Sequence, residues 1–223
     1  MEKLNVIYED NHMIVVEKPV NIPSQSDKTG DVDLLSIVKQ YIKEKYNKPG
    51  NVYVGLIHRL DRPVGGVMVF AKTSKAASRL SEQVRNKSFK KTYRAVIHGK
   101  MNKQEDNLMD YLYKNKKTNM VSVVSKNTKD AKDARLSYET LDFKKNFSLV
   151  QIDLQTGRPH QIRVQFSSRN HPLYGDQRYG KNVNKKGQQI ALWSYKIEIE
   201  HPTKKEKMEF VCDPPNKYPW NMF

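Results

Sequence analysis

The chain has 223 residues, enough for one sizeable core or two small lobes. Forty Lys and Arg against 24 Asp and Glu give +16 and a pI near 9.7, a charge that attracts polyanions such as nucleic acid, although a surface of solvated lysines has the same composition. No stretch nears the roughly eighteen apolar residues of a membrane span, no signal peptide opens the chain, and the single cysteine, Cys212, excludes an internal disulfide; together these predict a cytoplasmic protein without membrane contact.

Residues 4–18 read as a strand, a turn at Glu9–Asn11 and a second strand, "HMIVVEK". Pro19 and Pro23 then keep the chain extended. In "DLLSIVKQYIKEKY" the residues Leu34, Leu35, Val38, Tyr41 and Ile42 fall on one helical face, with Asp33 as the cap. An apolar run enters the polar knot "HRLDRPVGG", and a second, Val67–Ala71, leaves it. A helix capped by Thr73 or Ser74 is predicted to reach about Phe89, with Ala76, Ala77, Leu80 and Val84 inward. "KTYRAVIHG" follows as a strand, and residues 101–133 are the least structured by composition, with a hairpin-like arm around "MVSVVS".

Two strands come next, "ARLSYETLDF" and "FSLVQIDLQ", joined at Lys144–Asn146. "TGRPHQIRVQFSSRN" is ambiguous. Ile162, Val164 and Phe166 alternate as in a strand, whereas Pro159 at a first helical position and the Ile162/Phe166 spacing allow a helix. "LWSYKIEIEHP" and "KMEFVCDPP" close the chain as a hairpin. Strands dominate and come in consecutive runs, which predicts an α+β fold whose sheet is mixed but largely antiparallel, with flanking helices and loops. With no repeat and no linker, residues 1–223 are expected to form one domain, with the variant of two sub-lobes around a central cleft.

Two clusters carry chemistry. In "HRLDRPVGG" a carboxylate, Asp61, stands among His58, Arg59 and Arg62 on a turn that Pro63, Gly65 and Gly66 permit. Such a turn between core strands suits a reactive group, yet an Asp that only pairs with a neighbouring arginine has the same sequence. In "TGRPHQIR" the cations Arg158 and Arg163 and the side chains of His160 and Gln161 follow a glycine turn, as in a phosphate-binding patch or a basic surface segment. Tyr93 by itself reads as a half-buried strand residue, and "PLYGDQRYG" as a well-ordered loop. A phosphate-cradling Gly-Lys loop, His-Glu-x-x-His and G-x-S-x-G are absent, and one cysteine forbids a CxxC zinc site; the simplest remaining class uses no metal and no cofactor.

In order, "YEDNHMIVVEKPVNIPSQ", "GLIHRLDRPVGGVMVFAKT", "KKTYRAVIHG" and "LQTGRPHQIRVQFSSRNHPLYGDQRYG" resemble the motif series of RluA-type pseudouridine synthases, from about residue 4 to residue 215. The resemblance implies the pseudouridine synthase catalytic fold and the isomerisation of uridine in structured RNA, ribosomal or transfer; a stem-loop substrate and a monomer are the default expectations beside it. It implies Asp61 as the catalytic carboxylate, Arg163 as the cation paired with it, and Tyr93 as the tyrosine that meets the target base. His58, Arg59, Arg62, Arg158, His160 and Gln161 are expected to bind substrate RNA. Two departures stand out. Val64-Gly65-Gly66 replaces the usual Thr-Ser-Gly, and because the motif series begins almost at Met1 the small N-terminal RNA-binding domain often found in the family is expected to be absent. The rival expectations are a non-catalytic RNA-binding or ribosome-assembly factor of the same fold, and a glycosidase or nucleoside hydrolase, which would need a second carboxylate beside Asp61.

Overall fold

The computed structural model describes residues 4–223. In chain order it contains β1 (Val6–Glu9), β2 (Met13–Lys18), α1 (Leu34–Lys45), β3 (Gly55–Leu56), β4 (Gly65–Ala71), α2 (Ser74–Arg85), β5 (Lys90–His98), β6 (Glu105–Lys114) and β7 (Val121–Val124). There follow β8 (Lys132–Lys144), β9 (Phe147–Leu154), α3 (Gln161–Ser167), β10 (Leu192–Glu200), β11 (Lys207–Val211) and a short 3-10 turn at Trp220–Met222. The chain divides into two compact units, Met1–Lys91 with Ser194–Asp213, and Thr92–Trp193 with Pro214–Phe223.

In the first unit the strand order is β1-β2-β4-β10, with β3 added to β4 and β11 to β10. β2 and β4 are antiparallel from Met13↔Ala71 to Lys18↔Gly66, and all seven residues of β4 are buried. That is why both strands read as near-continuous apolar runs: no face of β4 meets water. Met13, Val15, Val67, Val69 and Ala71 pack with Ala76 and Leu80 of α2, with Phe89, and with Ile197, Ile199 and Phe210. α1 buries Leu34, Val38 and Ile42, each stabilising the fold by about 1.5–3 kcal/mol. Its N-cap is Asp33, whose carboxylate accepts the Ser36 N–H at 3.1 Å.

α2 ends at Arg85 instead of continuing toward Phe89. Asn86 Oδ1 accepts the N–H and hydroxyl of Ser88, Lys87 takes a left-handed φ of 65°, and Phe89 turns back so that its N–H reaches the Gln83 carbonyl. Burial of the Phe89 ring outweighs another helical turn.

In the second unit the order is β5-β9-β8-β6-β7 and every described pairing is antiparallel. Residues 101–133 are more regular than their polar composition suggests. β6 pairs with β8 from Glu105↔Glu139 to Leu112↔Lys132 and with β7 from Tyr111↔Val124 to Lys114↔Val121. Only Leu108 and Leu112 of β6 are buried, so two inward side chains in ten residues hold a strand whose other positions are polar or solvated. The ambiguous segment is helix α3. It starts at Gln161 and not at Pro159, because His160 is left-handed (φ 53°) and the Gln161 side chain closes the preceding turn. Gln161 Oε1 accepts the Thr156 hydroxyl at 2.8 Å and the Arg158 N–H at 3.0 Å.

Candidate active site

In the first unit, the Asp61 loop is built from backbone contacts. The Val64 N–H donates to the Asp61 carbonyl at 2.9 Å, which closes a four-residue turn with Arg62 and Pro63 at its centre. Lys18, at the end of β2, is fully buried and reaches into this turn. Its Nζ donates to the carbonyls of Pro19 at 2.9 Å, Arg62 at 3.0 Å and Val64 at 2.7 Å. Three donors on one ammonium meet three carbonyls, so the charge is hydrogen-bonded although no carboxylate forms a direct salt bridge with it. Burial pulls the Lys18 ammonium down to about 7; the nearby Asp61 charge opposes that shift and Arg62 adds to it.

Ser24 holds the other side of the loop. Its hydroxyl donates to the Leu60 carbonyl at 2.8 Å and accepts the Leu60 N–H at 3.1 Å, in the manner of a neighbouring strand. His58 is held by β4. Its Nε2 accepts the Val69 N–H at 3.1 Å, which puts the proton of the neutral ring on Nδ1, and the Phe89 ring packs 5.2 Å away. Burial, with the charge of Lys91 as a smaller cause, lowers the His58 imidazole to about 3. At neutral pH it is uncharged.

Gly66 begins the return into β4 with φ 115°, and a Cβ there would lie 2.7 Å from the Ser194 nitrogen and closer still to its carbonyl oxygen. Only glycine fits this crossing of two backbones. Arg59 is exposed. Arg62 is engaged by the chain itself: Nε donates to the Asn21 carbonyl at 3.1 Å, Nη1 to the Thr29 hydroxyl at 3.2 Å and Nη2 to the Asp31 carboxylate, with Asp27 at 4.0 Å.

The second unit holds the remaining expected residues. Tyr93 lies on β5 opposite Ile152 and is 6% exposed; its neighbour Thr92 donates to Asp153 at 2.6 Å. Arg163, on α3, forms a two-pronged pair with Asp176: Nε to Oδ2 and Nη2 to Oδ1, both at 2.7 Å. Burial opposes charge on Asp176, but the Arg163 bonds and charge and the N–H groups of Tyr179 and Arg178 outweigh it and hold the carboxyl below its ordinary value. Arg158 Nε donates to the Asp133 carbonyl at 2.8 Å, and His160 Nδ1 lies 2.7 Å from the Tyr179 hydroxyl.

Gln161 is 3% exposed, and its Nε2 donates to the Arg135 carbonyl and to Gln165 Oε1. Its amide is engaged inside the protein, as is the Val69-bonded nitrogen of His58. Each holds backbone in place: His58 the Val69 N–H of β4, and Gln161 the turn at Thr156–Arg158. Lys18, Ser24 and Asp176 were not foreseen as parts of the site. Asp176 had a visible signal, an acid among glycines and an arginine in "PLYGDQRYG"; Lys18 and Ser24 had none. Among the described residues no three His, Cys, Asp or Glu side chains are grouped as a metal site would need.

Among solved structures, the one titled "Human RNA Pseudouridylate Synthase Domain Containing 4" has a TM-score of 0.79 at 20% identity, covering 95% of this chain and 88% of that one. That likeness defines the fold class: an α+β protein with the pseudouridine synthase architecture. Residues 12–168 match the family model described as RNA pseudouridylate synthase. The Bacillus subtilis (strain 168) protein named "Uncharacterized RNA pseudouridine synthase YlyB" is 31% identical over 217 residues, which are 95% of this chain and 69% of that protein. "Ribosomal large subunit pseudouridine synthase C" of Buchnera aphidicola subsp. Acyrthosiphon pisum is 33% identical over 217 residues, 91% of this chain and 65% of that protein. A further Bacillus subtilis relative, named "Uncharacterized RNA pseudouridine synthase YhcT", is 32% identical over 201 residues, and the chain covers 65% of its length. The chain belongs to the RNA pseudouridylate synthase family, and it spans about two thirds of the length of these relatives.

Proposed function

We propose that this chain isomerises particular uridines in structured RNA to pseudouridine, with Asp61 as the catalytic carboxylate. The observation that carries the reading is the turn at Asp61: it lies within the family-matched residues and is clamped on both flanks by Lys18 and Ser24. Rigid support of this kind belongs to a group that must meet a reacting atom in one geometry.

The reaction breaks the N1–C1′ bond of the uridine, turns the detached uracil and joins C5 to C1′; the C5 proton is lost and N1 gains one, so the product is an isomer. Asp61 acts at or beside the sugar as nucleophile or base. Arg163 is the cation that serves the reaction, and Tyr93 meets the face of the target base. A uridine in folded RNA leaves its stack to enter, at a cost of a few kcal/mol. Arg59, Arg62, Arg158 and His160 supply contacts to phosphates and flanking nucleotides, and His58 and Gln161 support the loops that carry them. The substrate class is ribosomal or transfer RNA; the name of the Buchnera relative favours the large ribosomal subunit.

The test is to map pseudouridines in total RNA by carbodiimide labelling, with and without the gene. One or more sites should vanish, return with the wild-type gene and stay absent with Asp61→Ala. In vitro, Asp61→Asn should lower kcat by on the order of 10³-fold or more while the RNA still binds. Absence of conversion by the wild-type protein, with every phenotype retained in Asp61→Asn, would instead mark a non-catalytic RNA-binding factor of this fold; full activity of Asp61→Asn would remove Asp61 from the chemistry.

A further inference from the structure

Arg163 is held by a small, closed system within the second unit. Its side chain is 8% exposed and that of Asp176 is fully buried. Asp176 Oδ1, besides receiving Nη2, accepts the N–H groups of Arg178 at 2.9 Å and Tyr179 at 3.0 Å. The guanidinium lies over the Tyr179 ring, 5.2 Å from its centroid. The Tyr179 hydroxyl is itself fixed, accepting the Val121 N–H at 3.0 Å beside His160 Nδ1. Asn184 secures the loop beneath: Nδ2 donates to the carbonyls of Leu173, Asp176 and Gly180, and Oδ1 accepts the Gly175 N–H at 2.7 Å. Gly175 has φ 74° and passes so close to the Gln189 backbone that no side chain fits.

We propose that Asp176 is the positioning residue for Arg163, so that the guanidinium is held in one orientation only. The inference rests on the reading of Asp61 and Arg163 given above. A guanidinium presents five N–H groups in a rigid plane. With the Nε–Nη2 edge committed to Asp176 and one face on Tyr179, the plane can neither spin nor tilt. Lysine could not be held in this way, since an ammonium has no edge to grip. Asp176 also offsets one charge with another, so the cation stays buried without drawing in solvent.

The test uses the full chain and a transcript of the RNA whose pseudouridine depends on the gene. Asp176→Asn, which keeps shape and loses charge, should lower kcat by about 50-fold or more with KM within about threefold, the pattern of lost orientation and not of lost binding. Arg163→Met should lower kcat as far, and the double variant D176N/R163M no further, because Asp176 acts through Arg163. The double variant should also unfold at a higher temperature than Arg163→Met, which strands a buried carboxylate. Asp176→Glu retains the charge but displaces it, should lose kcat as well, and decides by the same criterion if Asp176→Asn does not fold. Folded Asp176→Asn with kcat within about threefold of wild type, or a loss that multiplies with that of Arg163→Met, overturns the inference and leaves the proposed activity intact. A wild-type protein that converts no RNA takes down the activity itself, and this role with it.

Discussion

Around Asp61 the holding groups grip peptide groups: Lys18 binds the carbonyls of Arg62 and Val64, Ser24 both peptide groups of Leu60, and His58 the N–H of Val69. Around Arg163 they grip a side chain: Asp176 takes one edge of the guanidinium with two bonds and Tyr179 its face. The difference follows from what each region has to fix. A short Asp side chain is aimed by its backbone, so the turn must be rigid. A long Arg side chain has several rotatable bonds, so its tip must be anchored directly. The first arrangement tolerates changes of side chain along the loop but not of backbone path; the second depends on a single carboxylate.

Three variants sharpen that contrast for the Asp61 side. The largest effect is expected from Gly66→Ala. Its positive φ and the Ser194 backbone leave no place for a Cβ, and the loss should be about 3 kcal/mol or more, read as a fall in the urea midpoint at unchanged m. A variant as stable as wild type would show that the backbone there is free to move.

Next is Lys18→Met. It removes three donors from the loop but also removes a buried ammonium, so the two effects on stability offset in part. Activity should fall on the order of 10²-fold from misplacement of Asp61, while the melting temperature changes by only a few degrees. Equal activity in Lys18→Met would mean that the turn is self-sufficient.

The smallest effect belongs to His58→Gln. Native His58 titrates near 3 and the unfolded residue near 6.5, so the unfolded chain binds the proton first as the pH falls. Its contribution is complete above pH 6.5 and is lost progressively between 6.5 and about 3, at no more than about 1.4 kcal/mol per pH unit. Glu9, held near 2 despite burial by hydrogen bonds from Lys45, Lys72 and Tyr46, loses its contribution only below its ordinary 4.5, so the difference between wild type and variant from pH 6.5 to 5 reads the histidine and not Glu9. Gln accepts the Val69 N–H and takes no proton; the slope in that window should flatten, and a slope unchanged by the substitution would assign it elsewhere.

Much of the fold was legible in the residues. The apolar run of "HMIVVEK", the alternation of "FSLVQIDL", the Asp33 and Thr73 caps and the Lys144–Asn146 turn all mark elements that exist, because each depends on neighbours within a few positions. The "TGRPHQIRVQFSSRN" segment was not decidable, since seven residues buried almost throughout carry no periodicity to separate helix from strand. The polar β6–β7 arm was underread for a related reason: its order comes from pairing with β8 far along the chain.

The amino-acid order alone determined the α+β class, most of the elements, the motif series and thereby the family resemblance, since these live in local pattern and in side-chain identity. Tertiary packing decided which charged groups are buried and what they hold: Lys18 with Val64 across 46 residues, Ser24 with Leu60 across 36, and Arg163 with Asp176 across 13. A buried charge is set by how the whole chain excludes water and where it leaves unpaired carbonyls or carboxylates, and no window of neighbouring residues contains that information.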